Sequence, residues 1–242
     1  MKTLFVIPAR LASTRFPEKI LFEINGKTLL EHAINNLLKA NISNFIVACD
    51  DNKIANLCNK LGVKAVLTDP ALPSGTDRVS AAVKTLNTDY DYIVNIQGDL
   101  VLFDATKLNQ VIEMLEQYTE FDMGTICVPI INSNMINSPT TVKVAISLIK
   151  DNIGKAIFFS RSPIPYAAPN YYQHLGVYAF RREIIEKFSS LKQGYLEKIE
   201  KLEQMRALEN SISIGIKILD SCRSFEINSP EDVDLFQKYI AN

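Results

Sequence analysis

The chain of 242 residues is 47% hydrophobic and carries 26 Lys+Arg against 27 Asp+Glu, a formal net charge of −1. That is enough apolar content to bury a core as one α/β domain with a smaller excursion, and the balanced charge supplies no global basic field for nucleic acid or an anionic membrane. The four cysteines form no C-x-x-C pair, which leaves no zinc or redox motif, and no apolar run reaches the roughly 18–20 residues that span a bilayer. Reduced core thiols and an N-terminus without a signal-peptide pattern lead us to expect a soluble, cytoplasmic protein.

In chain order, the apolar run 3–8 reads as a buried strand and opens into Arg10, Ser13, Arg15 and Lys19, with Pro8 and Pro17 stiffening the turn. A strand that opens into a cation-studded loop offers backbone N–H groups and side-chain charge to one polyphosphate, while the bland reading is a solvated turn. Asn25-Gly26 predicts a tight turn, and residues 28–40 a helix. The same alternation continues through strand 44–48, helix 51–61, strand 65–67, helix 75–85 and strand 92–96, a βαβ rhythm that predicts a parallel sheet. Gly62 fits a helix end. Strand 92–96 runs into Gln97-Gly98-Asp99, and ligands of open α/β sheets gather outside the carboxyl ends of strands, so Asp99 is placed beside the cationic loop. From Gly124 the texture shifts to shorter extended pieces at 124–131, 141–148, 157–159 and 175–180, read as an antiparallel or mixed excursion. Helical patterns return at 182–188 and 195–208, a last strand lies near 213–219, and Ser229-Pro230-Glu231-Asp232 starts a terminal helix. These changes divide a single domain, 1–242, into a nucleotide-binding half at 1–123, an excursion at 124–190 and a returning C-terminal part at 191–242.

The run P-A-R-x-x-S-x-R-x-P-x-K-x-L at residues 8–21 resembles the signature of the sugar-acid cytidylyltransferases, most closely those acting on 3-deoxy-manno-octulosonate (Kdo). Further blocks follow in that family's order: Ser74-Gly75-Thr76-Asp77-Arg78, Gln97-Gly98-Asp99, Val142-Lys143-Val144, Phe159-Ser160-Arg161, His174-Leu175-Gly176-Val177-Tyr178, Leu202-Glu203-Gln204-Met205-Arg206 and Ser229-Pro230-Glu231-Asp232. The resemblance covers nearly the whole chain. It implies a three-layer Rossmann-like nucleotidyltransferase fold with a mostly parallel central sheet, an excursion that also forms a homodimer interface, and Mg²⁺-dependent transfer of a cytidylyl group from CTP to Kdo, giving CMP-Kdo and pyrophosphate for a lipopolysaccharide inner core.

Carried over residue by residue, the resemblance makes Arg10, Ser13, Arg15 and Lys19 the triphosphate cradle and Asp99 the Mg²⁺ ligand. It assigns base selection to Ser74, Gly75 and Arg78, with Gln97 near the ribose or sugar, and recognition of the acid to Arg161, His174, Tyr178, Glu203 and Gln204. Each has a plainer reading. Ser74 serves as a helix cap, Tyr178 as a packing aromatic and Glu203 as a solvated helix charge, whereas His174, before a Leu-Gly pair, suggests a pocket rim. His32, on an amphipathic helix, reads as structural.

Three positions depart from the family pattern. Leu100-Val101 follow Gln-Gly-Asp where the family has an acid and a proline, Asn228 stands where a second metal-binding Asp is usual, and Glu18 stands where the loop often has Gly. Asn keeps an oxygen donor but loses a full charge, with Glu226 available to compensate. These departures leave open a cytidylyltransferase for a related acid, such as 8-amino-Kdo or a nonulosonate, and a binding protein with weakened catalysis. The chain lacks a G-x-G-x-x-G turn after the first strand, which excludes a dinucleotide-dependent dehydrogenase.

Overall fold

The computed structural model describes residues 1–12 and 16–241. The expectations for Ser13 and Arg15 therefore lie outside the described residues. Two compact units are formed, one by Met1–Thr106 with Arg223–Asn242 and the other by Lys107–Cys222.

The first unit begins with β1 (Thr3–Ala9), a short hairpin of β2 (Glu23–Ile24) and β3 (Lys27–Thr28), and α1 (Leu29–Lys39). The hairpin turns through Asn25 at φ 53° and Gly26 at φ 71°, the left-handed pair that a tight two-residue turn requires. Thr28 and Glu31 form a reciprocal capping box at the start of α1, so the helix opens one residue later than the apolar pattern alone suggests. The chain then alternates through β4 (Phe45–Cys49), α2 (Asn52–Lys60), β5 (Ala65–Leu67), α3 (Gly75–Lys84) and β6 (Tyr92–Ile96), followed by β7 (Leu100–Phe103). Within this unit the order is β5-β4-β1-β6, all parallel. The chain moves outward from β1 to β5 and then returns to the other side of β1, so a topological switch point lies at the carboxyl ends of β1 and β6.

The second unit contains α4 (Leu108–Gln117), β8 (Met123–Pro129), the single turn α5 (Asn134–Asn137), β9 (Lys143–Lys150), β10 (Ile153–Ser160) and β11 (Tyr172–Arg181). It continues through α6 (Arg182–Ser190), α7 (Tyr195–Glu200), α8 (Met205–Glu209) and β12 (Ile214–Ile218). Its strands lie in the order β11-β8-β12-β10-β9, antiparallel except for the β8–β12 pair. Helix α4 had no counterpart in the sequence reading. Its seat is made by two glycines: a Cβ at Gly124 would stand 2.7 Å from Val111 Cγ1, and one at Gly215 would stand 2.8 Å from Met114 Cε. The helix expected over 195–208 is two helices, because Lys201 turns left-handed at φ 54° and ends α7. The texture change at Gly124 falls inside β8.

The chain returns to the first unit with β13 (Ser224–Glu226), antiparallel to β7, and α9 (Glu231–Ala241). Leu100 and Val101, departures from the family pattern, are thus buried residues of β7, and Val101 packs in one apolar cluster with Phe16, Leu29, Ile227 and Phe236. None of the four cysteines forms a disulfide. Burial raises the Cys49 thiol to about 11 and the Cys58 thiol to about 12, and raises Cys127 further, while Cys222 is half-buried. Among the described residues no helix is long and apolar enough to cross a membrane.

Candidate active site

Among the described residues, Arg10, Lys19, Gly75, Gln97 and Asp99 of the nucleotide set gather where the strands β1, β4 and β6 end. Arg10, the residue after β1, is exposed and lines a cavity of about 640 Å³ with Leu11, Pro17, Glu18, Asp50 and Asp51. Beyond Pro17 the backbone turns left-handed at Glu18, φ 50° and ψ 24°, and enters the 3-10 turn Lys19–Leu21. That position explains why glycine is common there: a Cβ in this region is strained. The Glu18 carboxylate points to Lys53 Nζ at 2.7 Å, and both side chains are more than half exposed.

Lys19 Nζ donates to Asp99 Oδ2 at 2.5 Å and to the carbonyl of Ile227 at 2.9 Å. Ile227 N donates in turn to the carbonyl of Asp99 at 3.1 Å, which draws the segment carrying Asn228 against the Gln97-Gly98-Asp99 turn. Gly98 admits no side chain here, since a Cβ would lie 2.9 Å from the carbonyl oxygen of Pro8 and 2.8 Å from Ile20 Cδ1. Asp232 Oδ2 accepts from the backbone N–H groups of both Asn228 and Ser229 at 2.8 Å. Asp232 fixes the Asn228 backbone, a part that the sequence reading did not give it.

On the other side, Ser74 Oγ accepts from Asp77 N at 3.1 Å and caps α3, so the cap reading of the S-G-T turn is realised. A Cβ on Gly75 would stand 3.4 Å from Pro8 Cγ and 3.5 Å from Gln97 Oε1, which places Gly75 and Gln97 side by side at the strand ends. Arg78 is buried beneath these strand ends: it is 2% exposed, its Nη1 donates to Thr68 Oγ1 at 2.6 Å and to the Asp69 carbonyl at 3.3 Å, and its Nη2 lies 3.3 Å from Asp50 Oδ2. Burial lowers the Arg78 pKa, Asp50 opposes that, and the neighbouring Arg10 adds to it. Asp50 was overlooked in the sequence, although it follows an apolar strand as Asp99 does.

The residues assigned to the acid lie in the second unit. His174 is not on a rim: it is 7% exposed, its Nε2 lies 3.0 Å from Thr125 Oγ1, and its ring packs on Phe159 and Tyr178. Burial pushes its pKa down to about 3, so the ring is neutral near pH 7. Its neighbour Tyr178 donates its hydroxyl to Gln204 Oε1 at 3.0 Å. Gln204 is 4% exposed, and its Nε2 has no hydrogen-bond partner among the described residues. Gln204 sits between α7 and α8, which are locked by a buried pair, Arg206 Nη2 to Glu197 Oε1 at 2.7 Å, and by the Glu209 carboxylate accepting from Leu196 N and Glu197 N. Arg161 spreads its donors over the carbonyls of Glu200 and Pro139, at 3.1 and 2.8 Å, and the half-buried Glu203 lies beside Gln204. Lys143, fully buried, gives its ammonium to the carbonyls of Ser138, Thr141 and Arg161, which holds the Arg161 backbone.

Residues 4–217 match the cytidylyltransferase family pattern. The chain belongs to the cytidylyltransferase family. It is 39% identical over its whole length to an 8-amino-3,8-dideoxy-manno-octulosonate cytidylyltransferase of Shewanella baltica, of which it covers 99%. It is 40% identical, over 94% of its own length and 92% of the relative's, to a 3-deoxy-manno-octulosonate cytidylyltransferase of Rickettsia typhi. Among solved structures, a CMP:2-keto-3-deoxy-manno-octonic acid synthetase complexed with CTP superposes with a TM-score of 0.88, at 29% identity over all of this chain and 99% of that one. This cytidylyltransferase therefore has the Rossmann-like nucleotidyltransferase fold that the motif order implied.

Proposed function

We propose that this cytidylyltransferase transfers the cytidylyl group of CTP to the anomeric hydroxyl of Kdo, giving CMP-Kdo and pyrophosphate for lipopolysaccharide inner-core assembly. The observation that carries the reading is the meeting of Lys19, Asp99 and the Asn228 segment at the switch point of a parallel sheet, where Arg10 lines a cavity with Glu18, the neighbour of Lys19. Arg10 and Lys19 lower the charge on the attacked and departing phosphates. Gly75 and Gln97 frame the nucleoside side of the same strand ends.

The donor set fits Mg²⁺. Among the described residues no group of three or more His, Cys, Asp or Glu could enclose a metal, yet Mg²⁺ is commonly held by one or two carboxylates together with substrate phosphates and water. Asp99 would supply the carboxylate and Asn228 an amide oxygen. When bound, the ion would lower the pKa of the attacking hydroxyl and offset phosphate charge, so that no separate protein base is required. Lys19, held by Asp99 in this structure, would supply its charge to the phosphates, with Asp99 as the metal's carboxylate.

The Gln204 Nε2, without a hydrogen-bond partner among the described residues, is a donor suited to an oxygen of the sugar acid, with Tyr178 fixing the amide's orientation through Oε1. Arg161 and Glu203 complete the polar set. A homodimer through the excursion accords with Leu148, Ile149 and Ile157, which are 58%, 46% and 54% exposed on the β9–β10 hairpin at the end of the strand order, and light scattering on the purified protein tests it. Cysteines held as thiols rather than disulfides accord with a cytoplasmic setting.

The test is pyrophosphate release from CTP and Mg²⁺ with Kdo, 8-amino-Kdo, neuraminic acid or no acid. Release with Kdo in preference to the others establishes the reading. Preference for 8-amino-Kdo moves the assignment to that acid, a second reading favoured by the 39% identity to the Shewanella baltica enzyme. No release with any acid, alongside CTP binding, refutes catalysis.

A further inference from the structure

We propose that Asp50 is a positioning residue for CTP, joining the triphosphate loop after β1 to the base-side helix α3 through one buried carboxylate. Resting on the reading of this chain as a CTP-using cytidylyltransferase, the assignment adds a residue that none of the sequence blocks contains.

Asp50 stands one residue beyond β4, and its side chain is 5% exposed. Its two oxygens do different things. Oδ1 accepts from Leu11 N at 2.9 Å, which pins the backbone one residue past Arg10. Oδ2 faces Arg78 Nη2 at 3.3 Å, on the first turns of the helix whose start carries Ser74 and Gly75. The two elements are 67 positions apart in the sequence, from Leu11 to Arg78, and no other carboxylate among the described residues is shown bonding to both. Arg10 and Arg78 are close enough for one to disfavour the charge of the other, and the Asp50 carboxylate offsets that repulsion. Without it, two cations meant for one nucleotide push apart, the Leu11 N–H loses its acceptor, and the Arg78 guanidinium is left buried with a missing counter-charge.

Positioning and simple electrostatics predict opposite signs. An acid beside an anion-binding cavity repels a triphosphate, so deleting its charge tightens CTP if charge alone matters. If Asp50 works by holding the loop and α3 in register, deleting the charge weakens CTP instead.

The experiment measures pyrophosphate release by Asp50→Asn and Asp50→Glu in the full chain, varying CTP at saturating Kdo and Kdo at saturating CTP, with a thermal melt of each variant. Asp50→Asn is expected to raise the KM for CTP by about tenfold or more while kcat changes less than about threefold and the KM for Kdo stays put, with Asp50→Glu recovering part of the loss. A KM for CTP that is unchanged or lower overturns the proposal. So does a fall in kcat with both KM values unchanged, the mark of a smaller folded fraction. If Asp50→Asn does not fold, the same CTP-selective rise in Asp50→Glu decides. A wild-type protein without turnover overturns the reading of function rather than this one, and calorimetric CTP binding to the same variants then takes the place of KM. Equal binding by wild type and Asp50→Asn, or no CTP binding by wild type, refutes the positioning role.

Discussion

Replacing Glu18 separates backbone strain from side-chain charge in the loop that aims Lys19. The residue holds φ 50° and ψ 24° and leads directly into the 3-10 turn bearing Lys19. A non-glycine residue in this region costs about 1–2 kcal/mol, and glycine gives back about 0.4–1 kcal/mol of that through the greater freedom of the unfolded chain. Glu18→Gly is thus expected to be about 0.5–1 kcal/mol more stable than Glu18→Ala, which keeps the strained Cβ. Both variants lose the same ion pair to Lys53, so that loss cancels from the comparison. At this chain length the difference corresponds to roughly 1–4 °C in melting temperature, within reach of differential scanning calorimetry. Because glycine adopts the same backbone angles without strain, Glu18→Gly also keeps its turnover. An alanine variant that melts at or above the glycine variant refutes the argument, since the Glu18 backbone would then carry no strain to release.

Asp99→Ala and Lys19→Ala are each expected to abolish pyrophosphate release while the circular dichroism spectrum stays native, and retained turnover would remove either from the chemistry. Asn228→Asp adds a charge beside Asp99 and is expected to lower the Mg²⁺ concentration for half-maximal rate; an unchanged requirement places Asn228 away from the metal. His174 supplies a pH prediction. Its pKa lies near 3 when folded against 6.5 as the ordinary value, so between those limits the unfolded chain takes up a proton that the folded one refuses. Stability is therefore full above pH 6.5 and falls as pH drops, by about 1.4 kcal/mol per unit from this group. Urea unfolding of wild type and His174→Gln at pH 7 and 4.5 checks it, and parallel losses in the two proteins would contradict it.

Much of the first unit could be read from the chain because its strands are buried on both faces and its helices are amphipathic, giving sharp local contrasts at 3–8, 44–48 and 92–96. The strand ends then located Arg10, Lys19, Gln97 and Asp99 without tertiary information. Burial of polar groups was harder to see. Arg78 and His174 read in a one-dimensional pattern as groups facing a ligand, and only packing shows how deeply each is buried, Arg78 against Thr68 and Asp50 and His174 against Thr125 and Phe159. Asp50 was missed for the converse reason: an acid after an apolar strand is ordinary until its partners, Leu11 and Arg78, are known. The split at Lys201 was hidden because a lysine carries no local signal for a left-handed turn.

The cysteine distribution has a practical consequence for the bench. Three thiols are buried and held protonated well above neutrality, whereas Cys222 is half-buried, so a maleimide dye applied briefly near pH 7 should mark that one position. Because Cys222 is the last residue of the second unit, a fluorophore there would label the chain just before β13. The native sequence thus supplies a single-site probe without prior removal of other cysteines.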